Sequence, residues 1–316
     1  KKALARGRYF SGEMYFRDAL NIFKSDSNLK GEAQTKLKLC DILKIKGNIE
    51  EGIAMTGSAL ELYQELRDNE GIVDAYHTLS SFAIFQEDLD EAEFFSKKAL
   101  EISSEINYQK GVSKSYFRHG SIYRDRGNLD LGLRYFQKSL DIQEERKKMN
   151  GVAMCLRRIA FIYRLKGDLD KSYDKLVESL NIVQRENSFW GLRNTFGALG
   201  NLEHRRGNLI EAEEYLLKAL SISRTSDLRT SERGSLINLG NFYITTGELE
   251  KAEAVTKEAI ELSRTAGSEV HFGICLHNLG LIAKKRKQFT ESRLMFQESM
   301  EIHKNHPLRV SETLGE

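Results

Sequence analysis

The sequence predicts an all-α fold, an α-solenoid of stacked antiparallel helix pairs, and three observations carry that prediction. Glycine recurs at a spacing of forty residues, at positions 7, 47, 127, 167, 207 and 247. Between these glycines the apolar residues step by three and four, as in Phe196, Leu199, Leu202 and in Leu236, Leu239, Phe242, which is a helical period. Proline occurs once, as Pro307, so long helices run without interruption. One helical hairpin cannot cover its own apolar face, whereas successive copies cover each other.

Each forty-residue unit reads as a helix A, a turn at the glycine and a helix B. The units begin near 31, 71, 111, 151, 191, 231 and 271, giving seven full repeats over 31–306. Residues 1–30 read as a lone helix B, and residues 307–316 as a tail or the start of a further repeat. Leu308 to Glu312 (Leu-Arg-Val-Ser-Glu) echoes Leu228 to Glu232 (Leu-Arg-Thr-Ser-Glu), as expected of a segment of a longer parent chain. Glycine suits the A–B turn because the left-handed conformation carries no Cβ penalty there, and Asn48, Asn128, Asp168 and Asn208 stand ready to cap helix B. Two repeats put Glu87 and Lys287 in the glycine slot. In helix A a small residue follows the central apolar one (Gly120, Ala160, Gly200, Gly240, Gly280), where a missing side chain lets a neighbouring helix come close. Helix B carries a small residue of its own at Ala19, Ala59, Ala99, Ser139, Ser179, Ala219, Ala259 and Ser299.

The pattern Trp-x2-Leu-Gly-x2-Tyr is present in degenerate form as Phe196, Leu199, Gly200, Glu203, as Leu236, Leu239, Gly240, Tyr243, and as Tyr116, His119, Gly120, Tyr123. Helix B continues it with Ala212, Leu216 and the pair Ala219-Leu220. On these residues the chain resembles the tetratricopeptide repeat over almost its whole length. The period is forty rather than the usual ~34, and Arg224 or Ser104 stands where a proline normally follows helix B. The chain is therefore similar to the long-repeat subclass found in kinesin light chains, Pins-type spindle regulators and sensor regions of signalling ATPases. HEAT repeats have a similar length but lack the small residue and the glycine turn at these spacings. The resemblance implies a right-handed superhelix that binds a protein or peptide segment on an inner wall lined by the A helices, with no cofactor and no enzymatic activity.

Composition narrows the function further. Forty-eight basic and 46 acidic residues leave a formal charge of +2, without the excess that neutralises many phosphates, so nucleic acid is not the expected partner. No apolar run approaches the ~20 residues that span a bilayer, and neither a membrane nor a secretory route is expected. Cys40, Cys155 and Cys275 are odd in number and far apart, and no Asn-x-Ser/Thr acceptor occurs, which fits a reducing, cytoplasmic setting. His271, Cys275 and His277 approach one another on a helix, but Cys275 holds the small-residue place also filled by Cys155 and Ser235, so core packing is the better reading and no metal is expected. No phosphate loop, nucleophile elbow or Cys-x-x-Cys is present.

The resemblance puts the inward residues of helix A thirteen, ten, six and three places before the glycine slot. The stripe reads Lys114, Phe117, Ser121, Arg124; then Met154, Arg157, Phe161, Arg164; then Asn194, Gly197, Asn201, His204; then Gly234, Ile237, Asn241, Ile244. Its arginines can grip carboxylates bidentately while its phenylalanines supply apolar anchors, which suits an acidic, partly apolar segment. The bland alternative is a solvated charged face. In long-repeat relatives asparagines at the place of Asn201 and Asn241 hydrogen-bond an extended backbone; Phe161, Ser121 and Ser81 take that place elsewhere in this chain. A carboxylate clamp would need lysine where Gly197 stands. Phe189 and Trp190 read as a loop pair plugging a gap between helix ends, or, if exposed, as a second contact patch. Three functions compete: an interaction scaffold, whose groove takes a partner or another domain of its parent; the ligand-sensing region of a multidomain signalling protein such as a signalling ATPase or transcriptional regulator; and a hydrolase or metalloenzyme, against which the missing motifs count.

Overall fold

A computed structural model of the chain describes residues 8–225, 229–265 and 268–305. Gly7, Pro307 and the tail from 307 to 316 lie outside the described residues. Fifteen helices run in order among those described: α1 (Arg8–Ser25), α2 (Leu29–Lys46), α3 (Ile49–Glu65), α4 (Asn69–Phe85), α5 (Leu89–Glu105), α6 (Gln109–Asp125), α7 (Leu129–Glu145), α8 (Met149–Leu165), α9 (Leu169–Arg185), α10 (Phe189–Arg206), α11 (Leu209–Thr225), α12 (Arg229–Thr246), α13 (Leu249–Thr265), α14 (Glu269–Lys285) and α15 (Phe289–Asn305). The fold is an all-α solenoid in which the even-numbered helices are the A helices and each packs against the B helix that follows. Contacts divide it into two units, Lys1–Ile142 and Gln143–Glu316.

The turns explain the period. Gly47, Gly127, Gly167, Gly207 and Gly247 have φ between +78° and +88°, and each ends helix A in the left-handed conformation. At Gly127 the backbone N–H bonds Arg124 O at 2.9 Å and the Asn128 N–H bonds Tyr123 O at 2.8 Å, the paired closure that satisfies the last free carbonyls of a helix. Glu87 and Lys287 adopt the same conformation at +62° and +63°, so the backbone holds the rule where the glycine is lost. Five B–A turns repeat the device without glycine, with Ser27, Arg67, Asn107, Lys147 and Asn187 at φ +48° to +53°. Of the four expected caps, Asp168 Oδ1 accepts from Lys171 N and Asn128 Oδ1 accepts from Leu131 N, both at 3.1 Å. Asn48 makes no side-chain cap, and Asn208 gives its amide nitrogen to Glu203 instead.

The small residues act as expected. A Cβ on Gly120 would lie 2.7 Å from the Phe136 ring, one on Gly200 2.7 Å from Leu216, and one on Gly280 2.7 Å from Phe296. Helix B therefore seats a large side chain directly on the backbone of helix A, at interior packing density. From Ala59 onwards its own small residue is buried and, where it is serine, bonds back: Ser139 Oγ donates to Ser113 O at 2.9 Å, Ser179 Oγ to Ala153 O at 3.0 Å and Ser299 Oγ to Gly273 O at 2.8 Å. Between repeats the end of helix A is tied to the start of the preceding helix B. Tyr123 Oη donates to Glu93 at 2.8 Å and Tyr243 Oη to Glu213 at 2.6 Å, while Arg126 pairs with Asp90 and Glu93, and Arg286 with Glu250 and Glu253. Among the described residues no helix is long and apolar enough to cross a membrane.

Candidate binding pockets on the A helices

In the second unit, helices α8, α10 and α12 line a pocket of about 300 Å³ that gathers Arg157, Phe161, Arg164, Asn194 and Asn201 with Trp190 and Arg193. Among the described residues no aspartate or glutamate belongs to its lining. Burial pushes the Arg157 guanidinium down to about 10, and the like charges of Arg158 and Arg193 add to the effect. Arg164 is likewise pushed down to about 10 by burial, with Arg205 second. Both stay protonated at neutral pH, so the pocket concentrates positive charge in a poorly solvated place, the setting in which an anion is held most strongly. Aromatic faces hold these guanidiniums in place: Arg157 lies 5.3 Å over the Trp190 ring and Arg164 4.6 Å over Phe161.

Trp190 is not the plug between helix ends suggested by its place in the sequence. It is the second residue of α10, half exposed, with Phe189 also exposed. Ser188 caps that helix by accepting the Gly191 N–H at 3.3 Å, which draws Phe189 and Trp190 into the first turn and swings the indole over Arg157. Asn194 fixes the arrangement from below, donating to Trp190 O at 2.8 Å and accepting from Arg193 Nη2 at 2.5 Å.

A second hollow of about 360 Å³ adjoins it, lined by Asn201, His204, Asn238, Asn241, Thr245 and His277 among others. Its lining is rich in amide and hydroxyl groups, with Arg205 as its cation. Asn241 Oδ1 accepts from Asn278 Nδ2 at 2.7 Å, and Thr245 Oγ1 lies 3.0 Å from His204 Nε2. Burial, and then Arg205, pushes His204 below its usual range, so it is neutral at pH 7. Asn201 and Asn238 line both hollows.

Four predicted residues belong to the first unit, and they do not form one site. Lys114 lines a pocket of about 690 Å³ with Lys44, Asp74, Ser81 and Arg118, and its Nζ pairs with Asp74 Oδ1 at 3.1 Å. Phe117 packs edge-on against Phe136 at 5.2 Å, and Ser121 Oγ donates back to Phe117 O at 3.3 Å. Arg124 is buried and turns its guanidinium onto Asp125 Oδ1 at 2.7 Å. That buried pairing removes Arg124 from the set of groove arginines.

Arg193, Arg118 and Asn238 lie off the four-position stripe, and Lys44 precedes the stretch of it that begins at Lys114. Arg118 and Asn238 sit nine places before their glycines, one residue beyond the stripe, because a concave helix presents a band wider than one row. Lys44 lies three places before Gly47, on the stripe itself, and continuing the reading towards the N-terminus would find it. The cysteines are core: Cys40, Cys155 and Cys275 are buried, and burial pushes the Cys275 thiol up to about 12. Among the described residues no group of three or more His, Cys, Asp or Glu side chains could hold a metal ion.

Models of the tetratricopeptide repeat match residues 73–106, 113–146, 151–225, 234–265 and 274–306. Comparison with curated protein sequences gives no significant match. Among solved structures, the apo form of RapI superposes with a TM-score of 0.62 at 18% identity, over 87% of this chain and 98% of that one. A Rap protein complexed with competence and sporulation factor gives 0.62 at 13% identity, over 96% and 97%. A signal transduction ATPase with numerous domains and a tetratricopeptide-repeat sensor, from Pyrococcus horikoshii, gives 0.61 at 18% identity, over 90% of this chain and 46% of that one.

Proposed function

Because this chain belongs to the tetratricopeptide-repeat family, we propose that its second unit binds an extended, acidic and partly apolar protein segment. One observation carries the proposal: the arginine pocket without carboxylates runs into the amide pocket through Asn201 and Asn238. Among the described residues neither asparagine amide has a hydrogen-bond partner within the protein, so both can serve the donors and acceptors of a passing backbone. Arg157 and Arg193 then take a carboxylate, and Phe161 and Trp190 take an apolar side chain beside it. The Rap protein crystallised with competence and sporulation factor shares this fold and supports a bound factor as the ligand type.

Fluorescence anisotropy tests it with a labelled peptide of alternating acidic and aromatic residues. The full chain is expected to bind, Arg157→Ala/Arg193→Ala to lose most of the affinity, and Asn201→Ala to lose part of it. Equal binding by all three removes the site. A second reading, a sensor region inside a larger signalling protein, draws support from the archaeal ATPase, which carries a tetratricopeptide-repeat sensor and of which this chain spans about half.

A further inference from the structure

The first unit carries a cavity of different character, and the acidic-segment reading does not use it. It encloses about 690 Å³, the size of a small-molecule site. Five cations line it, Lys38, Lys44, Lys110, Lys114 and Arg118, against two carboxylates, Asp41 and Asp74. Asp74 is already engaged, with Lys114 at 3.1 Å and Lys110 at 3.9 Å.

Lys44 distinguishes this cavity from a merely basic wall. Two other lysines of α2 have carboxylate partners, Lys36 Nζ lying 2.7 Å from Glu32 and Lys46 Nζ 2.7 Å from Glu13. Lys44 Nζ, among the described residues, has Ser81 Oγ at 2.7 Å and no ion pair. An ammonium has three donors, and two of these remain for the cavity. Burial pushes Lys44 down to about 8, with the like charge of Arg118 next, so the fold holds a cation here against its own electrostatics. A charge kept in that position is stabilised when a ligand brings the missing anion.

We infer that the cavity between α2, α4 and α6 is a binding site for a phosphoryl group, seated against Lys44 and Arg118 with the Ser81 hydroxyl beside it. Lysine serves phosphate as a movable point charge, and three more cations than carboxylates match a ligand with two or more negative charges. The cavity is larger than one phosphate, so the group belongs to a larger body, either a small phosphorylated molecule or a phosphorylated side chain.

Isothermal titration of the full chain tests this with two probes, inorganic pyrophosphate and a short phosphoserine peptide, at pH 7.5 and low salt. At least one probe is expected to bind, with affinity reduced tenfold or more in Lys44→Met and unchanged in Arg157→Ala. Which probe binds tells a free phosphorylated molecule from a modified protein. At pH 8.5 binding is expected to take up a proton, read from buffers of different ionisation enthalpy, because an anion beside Lys44 restores its ordinary pKa. Lys44→Met removes a desolvated charge and keeps the stem, and circular dichroism checks its fold. Absence of binding by both probes at millimolar concentration, or equal binding by wild type and Lys44→Met, overturns the assignment.

Discussion

The pocket of the first unit sets Asp41 and Asp74 among lysines, whereas the arginine pocket of the second has, among the described residues, no carboxylate in its lining and stacks its guanidiniums on Trp190 and Phe161. Both are basic hollows made by the same turns of the same repeat. The difference lies in the donors. Lysines with partial counter-charge suit a compact, strongly charged group, while arginines held on aromatic faces suit planar carboxylates next to apolar side chains. The side chains that set this difference stand three to seventeen places before the turns of their A helices.

The largest expected effect breaks the comparison if it fails. Arg157→Ala/Arg193→Ala removes two charged donors worth about 1.5 to 3 kcal/mol each, so affinity for the acidic peptide should fall a hundredfold or more by anisotropy. Lys44→Met should leave that affinity unchanged.

A second test separates the units by stability. His119 is buried in the first unit, packs 5.1 Å from the Tyr135 ring, and has neither ring nitrogen bonded. Burial pushes it down to about 4, against about 6.5 in the unfolded chain. The unfolded state therefore binds more protons between these values, and stability falls as pH drops from about 6.5 to 4, by about 3 kcal/mol from this group. His119→Leu, which restores the aliphatic residue found at Leu79, Ile159 and Leu199, should raise stability at neutral pH by about 1 to 3 kcal/mol and flatten the acid limb of chemical denaturation. His77 in the first unit and His271 in the second, both also lowered by burial, leave some slope in place.

Trp190→Ala comes next, with a loss of about 1 kcal/mol of binding, or five- to tenfold in Kd, and no change in pyrophosphate binding. Smallest are the turns. Glu87→Gly in the first unit and Lys287→Gly in the second each relieve a left-handed residue that costs about 1 to 2 kcal/mol, offset in part by glycine's chain entropy. Each should raise stability by about 0.5 to 1 kcal/mol in urea denaturation, and equal gains would show that the two turns are under the same constraint.

Sequence period made the helices legible because every forty-residue copy repeats the same packing problem, so Gly120, Gly200 and Gly280 announced their contacts with Phe136, Leu216 and Phe296. Arg157, Phe161, Asn201 and Asn241 were legible as a face because a helical stripe keeps its direction. Arg124 was not, since its immediate neighbour Asp125 captures it, and a stripe says nothing about which polar groups already have partners. Trp190 was misplaced because a cap at Ser188 shifts the helix start by two residues, and sequence resolves such boundaries poorly. Lys44 was readable in position but not in meaning, which arises from the ion pairs its neighbours have and it lacks.

Both kinds of turn end a helix with a residue in the same left-handed pose. Among the described residues consecutive helices therefore meet through the same local backbone conformation, and the chain is expected to tolerate being cut and rejoined between equivalent points within one unit. Excising residues 71 to 110 is expected to give a shorter array that still unfolds cooperatively in a calorimeter, whereas removing one residue from a turn should scramble the stacking downstream. Such a chain is suited to change by whole cassettes of forty residues.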